Sequence, residues 1–379
     1  MDTILNKLKR ITWKQIFLYT ILLLCFFVSI IFVNHNYSYY ERPIVKVIKT
    51  KLEYSSESSG RGHNLEKIYT QSIAAQLKNG KEKGQLIHLV NQYSASGGYD
   101  QEYHVGDELF VSIHKNTEKS VNLTGDIIDV KRDKYVLLIG WIFVFVLLFI
   151  GKRQGFFSII SLAINAVLLS YALDVYLYTL NSNLLLICGV SVILFTFISL
   201  LLVNGFNEKT FAAIFSTLLG TFISFLITYL TLWLTAEKGL RYEEMQFLTR
   251  PYKVVFMAGL LIGSLGAVMD VAITMSSSIF GLYEEDNKIS IKVLKMSGMD
   301  IGKDIMGSMT NILFFAYISG SIPMIILYLK NQYPLPFTLS MNLSLELTRA
   351  LAGGIGIVLT IPIGLYSALF FINRKKARL

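Results

Sequence analysis

The chain has 379 residues, of which 53% are hydrophobic and 16% charged, with a formal net charge of +9. A soluble domain carries about 25% charged residues; here the deficit lies in long apolar runs, which excludes an ordinary soluble protein. The Lys and Arg residues flank those runs, so the basic total is assigned to anionic lipid headgroups, and nucleic acid is not an expected partner.

In chain order, stretches approaching the ~20 residues needed to cross hydrocarbon fall near 16–33, 135–150, 156–173, 184–203, 210–234, 254–280, 305–329 and 346–372. The expected fold is a membrane all-α helical bundle of about eight transmembrane helices. A small extracytoplasmic β-domain is inserted after the first helix. Residues 1–33 form a cytoplasmic N-terminus and first anchor, 34–134 the β-rich domain, and 135–379 a bundle of about seven helices with a cytoplasmic C-terminus.

The first run contains Leu22-Leu23-Leu24-Cys25, which superficially looks like a lipoprotein cleavage box. It lacks the small residue before the cysteine, and apolar residues continue past it. No small-residue cleavage site follows, so a retained anchor is expected. Cys25 and Cys188 both lie inside apolar runs and support neither a disulfide framework nor a CxxC metal site.

Within 34–134 the pattern turns to alternation. Ile44 to Lys49 reads as one strand. Gln71 to Leu77 and Gln85 to Tyr93 read as a hairpin around the Gly-rich turn 79–84. Val105 to Ile113 reads as a turn feeding another strand, and the whole as a small barrel-like domain. Ser55 to Gly62, rich in Ser and Gly, reads as a mobile loop.

Orientation follows from Lys and Arg near the ends of the runs. Lys7, Lys9, Arg10 and Lys14 precede the first run, Lys152 and Arg153 separate the second and third, and Lys288, Lys292, Lys295 and Lys303 separate the sixth and seventh. Arg374, Lys375, Lys376 and Arg378 follow the last. With an even number of crossings all four clusters share one side, so both termini are expected in the cytoplasm. Loop 235–253 is the exception, carrying Lys238, Arg241, Arg250 and Lys253 beside Glu237, Glu243 and Glu244.

Ionisable groups inside such runs cost about 2.5–3.5 kcal/mol at a helix centre, so they usually face a bundle interior or a wet cavity. In the sixth run Gly259, Gly263, Gly266, Asp270, Thr274 and Ser277 recur at helical spacing and share one small, polar face. Close helix packing accounts for the glycines equally well, but not for Asp270, which lies roughly 15 Å from the inner end of the run by helical rise. An ion, proton or polar-substrate site is one reading of Asp270; a structural buried hydrogen bond is the other.

In the seventh run Asp300, Asp304, Gly307 and Asn311 repeat the spacing. Asp300 and Asp304 are expected at its cytoplasmic end, where the helix macrodipole also favours acids. Asn311, ~10 Å further in, approaches the depth of Asp270. The eighth run opens with Glu346, Arg349, Gly353 and Gly356 on one face. Glu346 and Arg349 are expected to pair near the outer interface, and continuous helices keep Arg349 away from Asp270. Gly353, Gly354 and Pro362 make breaks in that helix plausible, as in transporters whose broken helices line substrate sites. The candidate substrate or ion site is therefore Asp270, Asn311, Asp304, Gly266, Thr274, Glu346 and Arg349.

Histidines 35, 63, 88, 104 and 114 all precede the second run at irregular spacing, which argues against a metal site. The methionines around the sixth and seventh runs are conceivable ligands for copper(I) but read as apolar filler. No Walker loop, dinucleotide fingerprint, HExxH or nucleophile elbow is present. Neither an enzyme activity, nor a catalytic residue, nor a cofactor is expected.

The segments Gly263 to Ala272 (GSLGAVMDVA) and Gly298 to Asn311 (GMDIGKDIMGSMTN) resemble the YibE/F family of bacterial multi-pass membrane proteins. Glu346 to Pro362, with Arg349, Gly353, Gly354 and Gly356, is similar to the same family's last helix. The resemblance implies a bacterial plasma-membrane location and, beside the lipid bilayer, a second YibE/F-type subunit or further copies of the chain as partners. It implies no settled activity. Two functions remain open: a transporter or channel for a small polar or ionic solute using Asp270, and a non-transporting assembly or sensor module whose external β-domain recognises a partner.

Overall fold

The computed structural model describes residues 13–59, 65–95, 97, 100–114, 123–179, 182–245 and 251–376, which divide into two compact units, 1–146 and 147–379. Lys7, Lys9, Arg10, residues 60–62 of the expected loop, His63, Arg250 and Arg378 lie outside the described residues.

The first unit begins with α1 (Trp13–His35) and one 3-10 turn, Asn36–Tyr39. Five strands follow: β1 (Ile44–Ser59), β2 (Leu65–Leu77), β3 (Leu86–Ser94), β4 (Glu108–Ile113) and β5 (Leu123–Val130). They close into a barrel in the order β1-β2-β3-β5-β4, antiparallel except where β3 runs parallel to β5. This is the five-stranded Greek-key arrangement of the OB type. Alternation produces it: Ile73, Ala75 and Leu77 of β2, Ile87 and Leu89 of β3, and Leu109 and Val111 of β4 point inward and are buried. The hairpin turn uses Gly80 and Gly84 at φ +83° and +91°, the region glycine occupies without strain.

The expected loop over Ser55 to Gly62 is corrected in part: β1 continues to Ser59, with Ser55 opposite Tyr69 and Ser59 opposite Leu65. Serine composition suggested a loop, but a partner strand of matching length satisfies the backbone instead. β5 was not anticipated; its alternation is weak, and it is held by ladders on both edges.

A buried polar node joins the barrel to the ends of α1 and α2 (Asp133–Tyr178). Lys131, 2% exposed, donates to Asp133 Oδ1 and to the Val33 carbonyl at 3.0 Å each, and lies 3.4 Å from Glu108. Tyr37 donates to Glu108, while Tyr40 and Asn36 donate to Asp133. Asn79 accepts from the Ile44 amide and donates to the carbonyls of Tyr37, Tyr40 and Arg42.

α2 has 46 residues, about 70 Å at 1.5 Å per residue and twice the hydrocarbon thickness. It is interrupted at Lys152, φ +46°, ψ −118°. A Cβ on Gly155 would strike the Leu147 carbonyl; in a straight helix those residues stand ~12 Å apart. The backbone therefore doubles back at Lys152, between the two expected runs 135–150 and 156–173.

The second unit continues with α3 (Leu184–Asn204), α4 (Glu208–Leu234), α5 (Tyr252–Glu285), α6 (Ile291–Ser319), α7 (Ile322–Lys330) and α8 (Leu335–Lys376). Asn183, Asn207 and Ser290 cap α3, α4 and α6 through their side-chain oxygens. Among the described residues six helices are long and apolar enough to cross a membrane, or seven if α6 and α7, bent by 51°, form one span.

α8 is the central packing helix, against α4, α5 and α6. The contacts are close because glycine occupies them: a Cβ on Gly302 would strike Ile361, and one on Gly356 would lie 2.7 Å from Val268.

Three expectations are corrected here. α8 runs unbroken through Gly353, Gly354 and Pro362, because α5 and α6 brace it there; the break falls instead at Gly320-Ser321, between α6 and α7. α6 starts at Ile291, so Asp300 and Asp304 sit nine and thirteen residues into it, beyond the first turn to which the macrodipole's pull is confined. α8 starts at Leu335, so Glu346 stands three turns in rather than at its opening.

Candidate functional site

The sixth run folds as α5 with its faces sorted by chemistry. Phe256, Leu260, Val268, Val271, Met275 and Ile279 are buried within the bundle. Gly259, Gly263, Gly266 and Asp270 are exposed. A Cβ added at Gly259 or Gly266 would meet nothing within 4 Å, and one at Gly263 would meet only the Tyr317 side chain. Gly259 and Gly266 are thus not packing contacts among the described residues, unlike Gly263, Gly302 and Gly356. Thr274 is half-buried and donates to the Asp270 backbone carbonyl at 2.7 Å.

On α6, Asp304, Gly307, Ser308 and Asn311 are likewise exposed, while Leu294, Gly298, Gly302 and Leu313 are buried. Asp300 forms an exposed ion pair with Lys303 at 3.1 Å. α5 and α6 run antiparallel, with Gly263 against Tyr317 and Ile279 against Gly298. Asp270 lies between these two levels on α5, and Asp304 and Asn311 lie between them on α6. The side chains of Asp270, Asp304 and Asn311 form no hydrogen bond or ion pair among the described residues.

Glu346 and Arg349 do not join this group. They pair with each other on α8, each about one-fifth exposed, and the Arg349 guanidinium lies 5.2 Å from the Phe256 ring centroid. Both line a separate cleft of about 540 Å³ built from the start of α8, the α6–α7 break and the turn Tyr242–Glu244. The turn is held by the Arg241 amide donating to Ser344 Oγ at 3.0 Å, and by Glu237, which accepts from Tyr242 and pairs with Lys253.

Inside the cleft, Glu244 Oε2 is buried without a hydrogen-bond partner. Burial, seconded by the Glu346 charge and opposed by Arg349, pushes the Glu244 carboxyl up to about 7. Ser321 and Asn342 are 6% and 4% exposed. The Ser321 hydroxyl makes no hydrogen bond among the described residues, and Asn342 donates to the Thr338 carbonyl while its own oxygen accepts none. Tyr317 lines the cleft and also touches Gly263, at the outer limit of the Asp270 face.

Sequence periodicity located the α5 and α6 faces but missed Glu244, Tyr317, Ser321 and Asn342. Glu244 sits in a loop, where no period links it to a helix. Ser321 gains its place from a break that only Gly320 hinted at. Among the described residues no group of three His, Cys, Asp or Glu is placed to hold a metal ion.

A family model described as YibE/F-like protein matches residues 139–374, and one described as the YibE/F family N-terminal domain matches residues 38–130. No curated protein and no solved structure matches the chain.

Proposed function

The chain belongs to the YibE/F-like family, and from that premise we propose that it passes a small polar or ionic solute across the bacterial plasma membrane along the exposed α5–α6 face. The observation that carries this reading is Asp270. It stands near the middle of a 34-residue apolar helix, exposed and without a partner among the described residues, while the apolar face of the same helix is buried. An ionised carboxylate facing lipid at that depth costs about 2.5–3.5 kcal/mol; facing a hydrated path it costs little. Gly266 keeps the face open beside it, and Asp304 and Asn311 supply further oxygens.

The crossings in this reading number eight: the two arms of α2 count separately, α6 with α7 counts once, and the other five helices count once each. An even count puts the basic clusters on the cytoplasmic side with both termini, and the barrel outside. No bond-breaking chemistry is assigned.

A second reading draws on the same open glycines. Positions 259 and 266, where a Cβ meets nothing, also suit a partner subunit packed on this face, with the chain as an assembly or sensor module. Proteoliposomes separate the two. Ion and proton flux that disappears in Asp270→Asn supports transport. A folded Asp270→Asn protein with undiminished flux removes Asp270 from the path, and absence of flux in the wild type favours the module.

A further inference from the structure

We infer that the cleft between Glu244, Glu346 and the α6–α7 break binds a small organic ammonium ion. Three observations carry this. First, among the described residues the charges do not balance: Glu243, Glu244 and Glu346 line the cleft against the guanidinium of Arg349, which Glu346 already engages. Second, oxygens are left without donors. Glu244 Oε2 has no partner, and Ser321 and Asn342, both more than nine-tenths buried, present a hydroxyl and a carbonyl oxygen that accept nothing among the described residues. A buried acceptor without a donor is costly, so a ligand with N–H groups supplies what Glu244 Oε2 lacks and can reach the Ser321 and Asn342 oxygens that line the cleft. Third, the carboxylates are not grouped as a metal-ion cage, and Met245, Met324 and Met341 give the remaining wall an apolar, adaptable surface suited to a carbon skeleton. A volume of about 540 Å³ is that of a small-molecule pocket.

The binding is linked to protons through Glu244. Among the described residues the titratable groups around it are Glu243 on its own turn, Glu346 and Arg349 on α8, Tyr317 on α6 and Tyr328 on α7. With its carboxyl titrating near 7, Glu244 is mostly protonated at pH 6 and mostly ionised at pH 8. An ammonium ion and the proton therefore compete for one carboxylate. Binding is measured on protein in detergent, so the inference stands or falls independently of any flux.

The probe is radiolabelled ethylamine, an ammonium ion throughout this range, in equilibrium dialysis against the full chain at pH 6 and pH 8. Saturable binding is expected, about tenfold weaker at pH 6 because about one-tenth of a group titrating near 7 is then ionised. Glu244→Gln should bind more weakly and lose the pH dependence, while Asp300→Asn, outside the cleft and exposed beside Lys303, should bind as the wild type does. If Glu244→Gln does not fold, Ser321→Ala keeps every charge and should weaken binding while preserving the ratio between the two pH values. The inference is overturned by absence of saturable binding, by displacement with equimolar sodium, by a pH ratio that survives Glu244→Gln, or by unchanged affinity in Ser321→Ala.

Discussion

Lys131 and Asp270 are both ionisable residues, and the chain treats them in opposite ways. Lys131 is closed in: two carboxylates, a backbone carbonyl and two tyrosine rings surround it. Asp270 is left open on the exposed side of α5, with Asp304 and Asn311 equally open on α6. A buried charge that serves only architecture is surrounded by counter-charges and donors, because an unpaired one costs several kcal/mol. The Asp270 carboxylate has no such counter-charge or donor among the described residues. The contrast sets a closed polar node against an open polar face.

The largest expected effect breaks the closed node. Lys131→Ala leaves Glu108 and Asp133 facing each other without their cation and should destabilise the protein by about 3–5 kcal/mol, read as a lowered unfolding midpoint. A loss below about 1 kcal/mol, the level of an exposed ion pair, would mean that the node is more hydrated than its geometry implies.

Next in size is the comparison of two glycines. Gly302→Ala drives a methyl group into Ile361 and should cost about 1–3 kcal/mol by overpacking. Gly266→Ala meets nothing and should leave stability unchanged or raise it by up to about 1 kcal/mol, alanine being the better helix former. Equal losses at the two positions in purified protein would show that the α5 face is packed after all.

The third effect is a pH dependence. The Glu244 carboxyl rises from an ordinary 4.5 to about 7 on folding, so between these values the folded protein holds a proton that the unfolded chain has released. Its contribution to stability is complete below pH 4.5 and is lost as the pH rises through 7. Thermal unfolding of the wild type should show this slope against Glu244→Gln, and parallel profiles would exclude Glu244 as its source. The smallest expected effect is at Asp300, whose exposed pair with Lys303 makes Asp300→Asn worth no more than about 1 kcal/mol.

Sequence made the helices, the barrel hairpin and the polar faces legible, since each rests on a local period of 3.6 or 2. It concealed what depends on distant partners. β5 was hidden because its pattern is weak and its two ladders are non-local. The cleft was hidden because a loop carboxylate, a helix break and an α8 asparagine meet only in three dimensions. Helix ends were misjudged where polar residues extend a helix beyond its apolar run: α6 gains Ile291 to Asp304 and α8 gains Leu335 to Leu345. The break was expected at Gly353-Gly354 and found at Gly320-Ser321, because glycine in a helix marks close packing as often as weakness.

Water accessibility along α5 tests the open face most directly. With Cys25 and Cys188 replaced, single cysteines at 259, 263, 266, 268, 270 and 271 are exposed in intact cells to a membrane-impermeant thiol reagent. Cysteines at 266 and 270 should react while those at 268 and 271, on the buried face, do not. Silence at 266 and 270 in a folded, membrane-inserted protein would contradict the account, since the face would then be covered by lipid or by a partner instead of water.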